Sequence, residues 1–372
     1  MSILIFVLVL VALIVVHEFG HFVVAKLSGM RVDEFGIGYP PRAWGFKKGE
    51  TEYTLNWLPF GGFVKIFGED MEEKLPGVET APASASRAFS ARPRILQAAT
   101  LIAGIAMNLL FAYVLITATL LMGTPRALAP EEMGTAKEVS VAVAGVLPES
   151  PADKAGLIAG DYVVSAKQGE LTWNGTDTDA FTAFVASDTA KEPITISILR
   201  GDEQKSLTMT PQTGTIASDP ERPALGVQLA VVGVVPVSLL QAPIEGAVLT
   251  WEITKETAIA LVKFFGSIFT FSADLSQVAG PVGIAGAVGN ASSQGLASLL
   301  TITALISINL ALINVLPVPA LDGGRLLFVL IESITRRPIK PSVANAMNTV
   351  GFGLLILLML VVTAHDVLKI LG

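Results

Sequence analysis

The fold is decided by Ile3–Ala25, ILIFVLVLVALIVVHEFGHFVVA, where an uncharged apolar run leads into three ionisable residues, His17, Glu18 and His21. A helix needs about 20 mostly apolar residues to cross a bilayer. The uncharged part, Ile3–Val16, is too short alone, so a spanning helix must continue through the ionisable residues. We therefore predict a first span over about residues 3–25. No basic residue precedes the run, so we do not expect a cleaved signal peptide.

The composition of the whole chain supports a membrane protein. Of the 372 residues, 52% are hydrophobic and only 15% are charged, against about 25% charged in soluble domains. This excludes an ordinary soluble enzyme and a disordered chain. The net charge of −7 gives no electrostatic support for a nucleic-acid partner. With no cysteine and three histidines, thiolate metal sites and cysteine nucleophiles are also excluded.

Three further spans are predicted from apolar stretches, at about residues 95–122, 296–316 and 347–364. Basic residues are concentrated in the loop between the first two spans and in the loop between the last two. Since cytoplasmic loops are enriched in Lys and Arg, both loops are predicted to be cytoplasmic. The long segment from residue 123 to about 274 and both termini would then be extracytoplasmic.

The extracytoplasmic segment divides into two parts by composition. Residues 137–212 regain charges and show alternating apolar residues at Val139–Val143 and Ile194–Ile198, which predicts strands of a small α+β domain. Ser150 and Pro151 predict the start of a short helix and Gly156 its end. Residues 213–295 are predicted to form linking strands and an amphipathic helix at the membrane interface, over Thr257–Ala273. Glycines interrupt residues 280–289, so the third span is predicted to begin near residue 296.

The motif His17-Glu18-Phe19-Gly20-His21 carries the chemistry. Residues four apart share one face of a helix, so both imidazoles can bind one zinc ion with Glu18 beside it as general base. A catalytic zinc needs a third protein ligand. His365 is one candidate, but the predicted topology puts it at the outer end of the last span. Asp322 follows a span that runs in the same direction as the first, and we therefore favour it.

Residues 137–212 resemble a PDZ domain of the bacterial protease-associated type. The resemblance rests on Ser150-Pro-Ala-Asp-Lys-Ala-Gly-Leu157 followed by Gly160-Asp161. PDZ domains bind extended peptides as an added strand. No Gly-Leu-Gly-Phe-like carboxylate loop precedes the first strand of this segment. Peptide binding and a steric or structural role therefore both remain open.

Nearly the whole chain resembles the site-2 protease family of zinc intramembrane metalloproteases, most closely the bacterial regulator-of-sigma-E type. The matching motifs are His17-Glu-Phe-Gly-His21, Pro59-Phe-Gly-Gly-Phe-Val-Lys65, Ala103-Gly-Ile-Ala-Met-Asn108, Gly280-Pro-Val-Gly-Ile284 and Asn314-x-x-Pro-x-Pro-x-Leu-Asp-Gly323. The family's Ala-Gly-Pro-x-x-Asn-Phe motif is altered here around Asn108, where packing of small residues is the alternative role. The resemblance implies one PDZ domain inserted among four spans and a membrane-associated β-hairpin.

The resemblance also implies the activity and the residues that perform it. The activity would be cleavage of single-span membrane proteins, such as anti-sigma factors or remnant signal peptides, after a first extracytoplasmic cut. The protein would lie in the bacterial inner membrane with its active site toward the cytoplasm. Zinc would be bound by His17, His21 and Asp322, with Glu18 as base and Asn314 as an oxyanion or substrate ligand. Further substrate contacts would come from Gly61, Gly62, Asn309, Pro317 and Pro319.

Residues 51–67 alternate apolar and polar residues around a turn at Pro59–Gly62, which predicts a hairpin whose edge can bind an unwound substrate. A cytoplasmic surface hairpin is the alternative. Three other functions of the whole protein are disfavoured. The sequence has no histidine free to act as the base of a serine protease and no aspartyl-protease motif within a span. It also has no series of intramembrane acids that could form the path of a zinc transporter. A non-catalytic membrane PDZ scaffold of the same fold remains the alternative from another functional class.

Overall fold

The computed structural model of the protein describes residues 2–69, 86–123, 125–186, 192–201, 203–216, 219–235, 237–269 and 279–371. The chain divides into two compact units. The first, here called the helical unit, contains Met1–Thr117 and Ile244–Gly372. The second, here called the sheet unit, contains Ala118–Pro243. Each unit is described separately.

Four helices are long and apolar enough to cross a membrane, as the sequence predicts. The first is α1, Ser2–Leu27, and the second is α2, Arg94–Leu121. The third lies close to its predicted bounds, whereas the last is longer than predicted at both ends. These two spans are α7, Leu296–Val315, and α9, Pro341–Leu371. The helical unit also contains α5, Ala242–Phe269; α6, Pro281–Ser293; and α8, Asp322–Thr335.

The long helices pack through small residues and apolar clusters. At Gly20 of α1, an added Cβ would lie 2.3 Å from the carbonyl oxygen of Ala103, so only glycine allows α1 and α2 to approach so closely. Further along α2, Ala112 and Ile116 pack against Ile308 of α7. Helix α5 adds Leu249 and other apolar side chains to that cluster. The sequence therefore builds the core of this unit from closely spaced helices.

A segment that the sequence analysis predicts to be broken by glycines forms α6 instead. Pro281 occupies the first turn, where its missing N–H costs nothing. At Gly283, the backbone N–H donates to Asp366 Oδ2 of α9 at 2.8 Å, and an added Cβ would lie 3.2 Å from that atom. Val288 packs against Leu13 of α1. Tertiary packing thus outweighs the low helix propensity of glycine.

Two long, bent strands, β1 (Val32–Lys48) and β2 (Thr51–Ile66), follow α1. The first half of β1 is flanked by two stretches of β2, because Ile37 pairs with both Leu55 and Gly62. Going back along β1 to Glu34, the partners change to Glu52 on one side and Lys65 on the other, so β2 reverses direction between the two stretches. The turn predicted at Pro59–Gly62 is confirmed. The predicted hairpin is corrected, because β1 lies between its two arms.

The sheet unit is one antiparallel sheet with two short helices. Its strand order is β3-β9-β4-β5-β7-β8, and β6 pairs with β5. Along the chain the elements are β3, Arg126–Ala127; β4, Lys137–Val146; α3, Pro151–Lys154; β5, Tyr162–Gln168; β6, Leu171–Trp173; α4, Thr178–Val185; β7, Ile194–Arg200; β8, Glu203–Met209; and β9, Val227–Val234. Alternate residues of β4 and β7, such as Val141, Val143, Ile194 and Ile196, form its core.

Local predictions for this unit are mostly confirmed. Ser150 caps α3, with its Oγ accepting from the N–H of Asp153 at 3.3 Å, and Gly156 follows with a φ of +81°. One prediction is too broad: of the linking strands predicted within residues 213–295, the described residues form one, β9, and α5 begins at Ala242 rather than near Thr257. The predicted end of that helix, at Ala273, lies outside the described residues.

Candidate active site

Three side chains from two distant parts of the chain meet in the helical unit. His17 and His21 lie one turn apart on α1, and Asp322 is the first residue of α8. Their ligand atoms all lie within 4.8 Å of one another. In the described part of the chain, this is the one group of three His, Cys, Asp or Glu side chains close enough to hold a metal ion. His365, the alternative third ligand, does not belong to it. The meeting of the two histidines with Asp322 was predicted from the direction of the spans.

The distances within this cluster match those required around a small metal ion. His17 Nε2 lies 3.0 Å from Asp322 Oδ2, His21 Nε2 lies 3.2 Å from the same atom, and the two Nε2 atoms are 3.1 Å apart. A tetrahedral ion with bonds of about 2.0–2.1 Å places neighbouring ligand atoms about 3.3 Å apart. The three atoms therefore form nearly one face of such a tetrahedron.

Asp322 Oδ2 gives a second, independent sign of a missing partner. This atom is buried and, among the described residues, accepts no well-formed hydrogen bond, although both imidazoles lie close to it. An unsatisfied buried carboxylate oxygen is costly. A cation at the centre of the cluster satisfies it together with the two imidazole lone pairs. Two imidazoles and one carboxylate are a known ligand set for catalytic zinc.

The segment before Asp322 is held in an irregular conformation by close backbone packing. Pro317 and Pro319 end α7, and the loop turns at Ala320, which has a φ of +75°. An added Cβ at Gly323 would lie 2.2 Å from the carbonyl oxygen of Leu316. Glycine is therefore required there, and the tight loop fixes the carboxylate at the start of α8.

Glu18 lies next to His17 on α1 and is half-buried. The nearby strand β2 approaches α1 at Gly62, where an added Cβ would lie 3.1 Å from Ile14 and 3.5 Å from Cγ of Glu18. Its neighbour Gly61 has a φ of +126° and packs on the ring of Tyr39. The structure thus brings Gly62, a predicted substrate contact, against the side of the predicted base.

The two predicted asparagines of α7 differ in position. Asn314 is half-buried in the last turn of the helix, just before the irregular loop. Asn309 is exposed, and its Nδ2 donates to the carbonyl of Leu305 on its own helix at 3.0 Å. Residues five apart lie about 140° apart around a helix. Asn309 and Asn314 therefore lie on different faces, and a shared role of the two is not supported.

A cavity of about 420 Å³ lies beside Asp322, lined by Ala320, Asp322, Arg325, Asn348, Thr349 and Phe352. Asn348 of α9 binds the irregular loop, because its Oδ1 accepts from the N–H of Ala320 at 3.3 Å. Arg325 Nη1 donates to Glu69 at 2.6 Å, which connects α8 to the end of β2. The carboxylate is thus reachable from one side through a partly polar space.

The sequence analysis missed the way α2 supports the histidines. His21 Nδ1 bonds to the carbonyl oxygen of Thr100 at 2.8 Å, and His17 Nδ1 lies 3.2 Å from the amide of Asn108. At Gly104, an added Cβ would lie 2.4 Å from His21 Nε2 and 2.8 Å from Cε1 of His17. The four-residue spacing of Thr100, Gly104 and Asn108 was the available signal, since it places them on one helix face.

Comparisons with known proteins identify the family of the chain. The profile of Peptidase family M50 matches residues 5–358. The chain is 34% identical over 363 residues to a candidate zinc metalloprotease of Nostoc sp., covering 96% of this chain and 93% of the relative. It is 31% identical to zinc metalloprotease RasP of Geobacillus kaustophilus, covering 99% and 98%. It is 27% identical to the regulator of sigma-W protease RasP of Bacillus subtilis, covering 99% of each chain. The chain therefore belongs to peptidase family M50, the zinc metalloproteases of the site-2 type.

Proposed function

We propose that His17, His21 and Asp322 are the protein ligands of the zinc ion. The observation that carries this proposal is the near-equal separation of their three ligand atoms, 3.0–3.2 Å, around an unsatisfied carboxylate oxygen. A zinc ion held there would act as a Lewis acid and lower the pKa of a bound water to about 7. The three ligands leave one tetrahedral position open for water or substrate.

Glu18 is proposed as the general base. Its carboxylate would take the proton from the attacking water and return a proton to the amine of the leaving peptide. Its place beside His17, half-buried and against Gly62, supports this role. Asn314 is proposed to donate its amide N–H to the oxyanion of the cleaved bond. Its half-buried position before the loop that carries Asp322 supports a location near that bond.

The substrate is proposed to bind as an extended strand along the part of β2 that follows its turn. A helical substrate hides its scissile amide and must unwind before hydrolysis. Gly61 and Gly62 have no side chain, so another backbone can approach there, next to Glu18. Pro317 and Pro319 are proposed to contact the same strand from the opposite side. The polar cavity beside Asp322 provides space for the water that hydrolysis consumes.

The β1–β2 sheet is proposed to enter the bilayer. Several large side chains on it are exposed, among them Trp44 at 61%, Trp57 at 71%, Tyr39 at 49% and Leu58 at 47%. Exposed tryptophan and tyrosine are typical of membrane–water interfaces. Helix α5 is proposed to lie at such an interface as well, since it exposes Trp251 on a surface that also carries charged residues.

The substrates are proposed to be single-span membrane proteins, such as anti-sigma factors or remnant signal peptides, after a first extracytoplasmic cut. The relative named regulator of sigma-W protease supports an anti-sigma factor as one substrate. We propose the bacterial inner membrane as the location, with the zinc site toward the cytoplasm and residues 137–212 outside. Basic residues in the loops that flank the site support this orientation.

The sheet unit is proposed to be a PDZ domain that binds an extended peptide. Between α4 and β9 lies a cavity of about 250 Å³, lined in part by Phe181, Val185, Leu225 and Leu229. Among the described residues, β3 pairs with β9 only near its end, around Val232, so in this part of the chain the start of β9 has an unpaired edge beside the groove. The loop before β9, at residues 224–226, is proposed to bind the peptide carboxylate, and Gly226 has a φ of +78°. An added strand fits this arrangement.

One experiment separates the protease from the scaffold alternative. Wild type and Glu18→Gln are purified in detergent, their zinc content is measured, and each is given a single-span test substrate. We expect zinc in both proteins and cleavage by wild type alone. Equal cleavage by both proteins would refute Glu18 as the base. Zinc in both with cleavage of no single-span substrate by either would favour the scaffold.

A further inference from the structure

Helix α2 presents one face to the two histidines of α1. Thr100, Gly104 and Asn108 are spaced four residues apart and therefore lie along one side of the helix. Thr100 and Asn108 are fully buried. Thr100 and Asn108 each meet the Nδ1 atom of a different histidine, and Gly104 leaves room for both rings. This face contacts the metal ligands without being part of the ligand set.

The contact with His21 sets its tautomer through the main chain. A carbonyl oxygen only accepts hydrogen bonds, so the bond of 2.8 Å between Nδ1 and Thr100 requires hydrogen on Nδ1. The lone pair is then on Nε2, the atom that faces Asp322. Supporting hydrogen bonds of this type fix the tautomer and orientation of metal-binding histidines.

The contact with His17 is made by a side chain and can therefore be changed by mutation. When Nε2 of His17 is a metal ligand, Nδ1 carries hydrogen and needs an acceptor. The Asn108 amide lies 3.2 Å away, and its Oδ1 has no hydrogen-bond partner among the described residues. A half-turn of the amide brings Oδ1 to Nδ1 of His17, which gives both atoms a partner.

The position of Asn108 is fixed from the third span. Ser307 of α7 donates its Oγ hydrogen to the main-chain oxygen of Asn108 at 2.7 Å, and both residues are fully buried. The same helix carries Asn314 and leads to Asp322. Asn108 therefore lies where α1, α2 and α7 meet.

We infer that Asn108 is a positioning residue for the zinc site: its amide oxygen accepts the Nδ1 hydrogen of His17 and so keeps Nε2 free to bind the metal. This inference rests on the proposed role of His17 as a ligand. Asn108 itself touches neither metal nor substrate. This positioning role differs from the helix packing considered above. It requires an acceptor oxygen that keeps the hydrogen of His17 on Nδ1.

The test measures zinc affinity of the full chain in detergent, by competition with a chromophoric zinc chelator. Asn108→Leu keeps the size of the side chain and removes the acceptor. Asn108→Asp keeps an oxygen at the same place. Thr303→Val is the control, because it removes a buried polar group of α7 whose Oγ donates to the carbonyl of Leu299 on its own helix, at 2.7 Å.

We expect zinc to bind about 10–100-fold more weakly to Asn108→Leu, the usual cost of losing such a supporting bond. Asn108→Asp and Thr303→Val should bind zinc like wild type. A second readout is the rise in melting temperature on zinc addition, which follows affinity by mass action. This rise should be smaller for Asn108→Leu than for wild type. The melting temperatures of the two zinc-free proteins should be equal.

Two results would overturn the inference. One is wild-type affinity in Asn108→Leu, and the other is an equal loss in the Leu and Asp variants, which would indicate packing. If Asn108→Leu does not fold, the Asp variant decides, since weakened zinc binding there contradicts an acceptor role. Failure of wild type to bind zinc would instead refute the proposed ligand set, and the inference with it.

Discussion

Two buried carboxylates, one in each unit, have opposite surroundings. Asp161 of the sheet unit is 1% exposed in its side chain, and Arg200 donates to both of its oxygens at 2.7 Å. The N–H of Ile158 adds a third hydrogen bond at 3.0 Å. Asp322 of the helical unit has two imidazoles nearby and an oxygen without a hydrogen-bond partner in the described structure.

The difference shows how a buried acid can be assigned to structure or to chemistry. A carboxylate whose two oxygens both accept from a guanidinium, and one also from a main-chain N–H, already has its charge compensated and both oxygens bonded. A carboxylate oxygen that lies 3.0–3.2 Å from two imidazole Nε2 atoms is satisfied when a cation joins the three atoms. Asp161 is therefore expected to stabilise its unit, and Asp322 to bind metal.

The largest effect is expected for Asp322→Ala. Removing one of three protein ligands should leave no zinc after dialysis and no detectable cleavage of a single-span test substrate. The sheet unit should keep its wild-type hydrogen-exchange protection. The matched variant Asp161→Ala should keep full zinc occupancy. If Asp322→Ala retains stoichiometric zinc, the assignment of the two carboxylates is wrong.

A large effect on metal binding is also expected for Gly104→Ala. The added methyl group would lie 2.4 Å from His21 Nε2, so at least one imidazole must move. Zinc affinity is measured by chelator competition. It should fall further than on loss of a supporting hydrogen bond, which costs about 10–100-fold. Gly353→Ala of α9 is the control, because an added Cβ there meets no atom within 4 Å. Equal affinities in both variants would contradict the close fit.

A moderate effect, on stability alone, is expected for Asp161→Asn. It replaces a charged acceptor of Arg200, whose side chain is 27% exposed, by a neutral one, at a cost of about 1.5 kcal/mol. Hydrogen exchange of the main-chain N–H groups of Val143 and Gly160, which bond near Asp161, should accelerate accordingly. Glu203→Gln, at an exposed carboxylate paired with Lys205, should change exchange little. Zinc loss in Asp161→Asn would contradict the assignment of Asp161 to stability alone.

The smallest effect is expected at Glu50, a partly exposed carboxylate that accepts hydrogen bonds from Arg87 and Lys26. Hydrogen bonds from Arg87 and Lys26 lower its pKa from 4.5 to about 2. The unfolded chain therefore binds a proton at a higher pH than the folded chain, and the contribution to stability is complete above pH 4.5. It should shrink as the pH falls from 4.5 to about 2.

Melting curves of wild type and Glu50→Gln across this pH range test the prediction. The variant should be slightly less stable at pH 7, and the gap should narrow with falling pH. Because the Glu50 side chain is about one third exposed, solvent screening keeps the gap small. A gap that widens as the pH falls would reverse the sign of the predicted effect.

The sequence predicted the meeting of the three side chains better than the contacts that support them. His17 and His21 are set by spacing within one helix, and Asp322 follows from the direction of two spans. Asn108 could not be assigned in the same way, because the rotation of α2 against α1 depends on contacts such as Gly20 with Ala103. A motif within one element is visible in sequence, whereas a contact between elements requires their packing.

Two other differences have similar causes. Helix α6 contains several glycines and was predicted to be irregular, yet packing on α1 and α9 stabilises it. The loop at residues 224–226, proposed above as a carboxylate site, was not considered because the sequence was searched ahead of the first strand, whereas β9, the strand beside the groove, comes last in the chain. Order along the chain does not reveal order across a sheet.

The central claim is that two imidazoles and one carboxylate bind zinc. X-ray absorption at the zinc edge of the purified protein tests it most directly, because the chain has only three histidines. The account predicts nitrogen and oxygen ligands at about 2.0–2.1 Å, two of them imidazoles, and the same spectrum in His365→Ala. Three imidazoles, or a spectrum altered in His365→Ala, would contradict it.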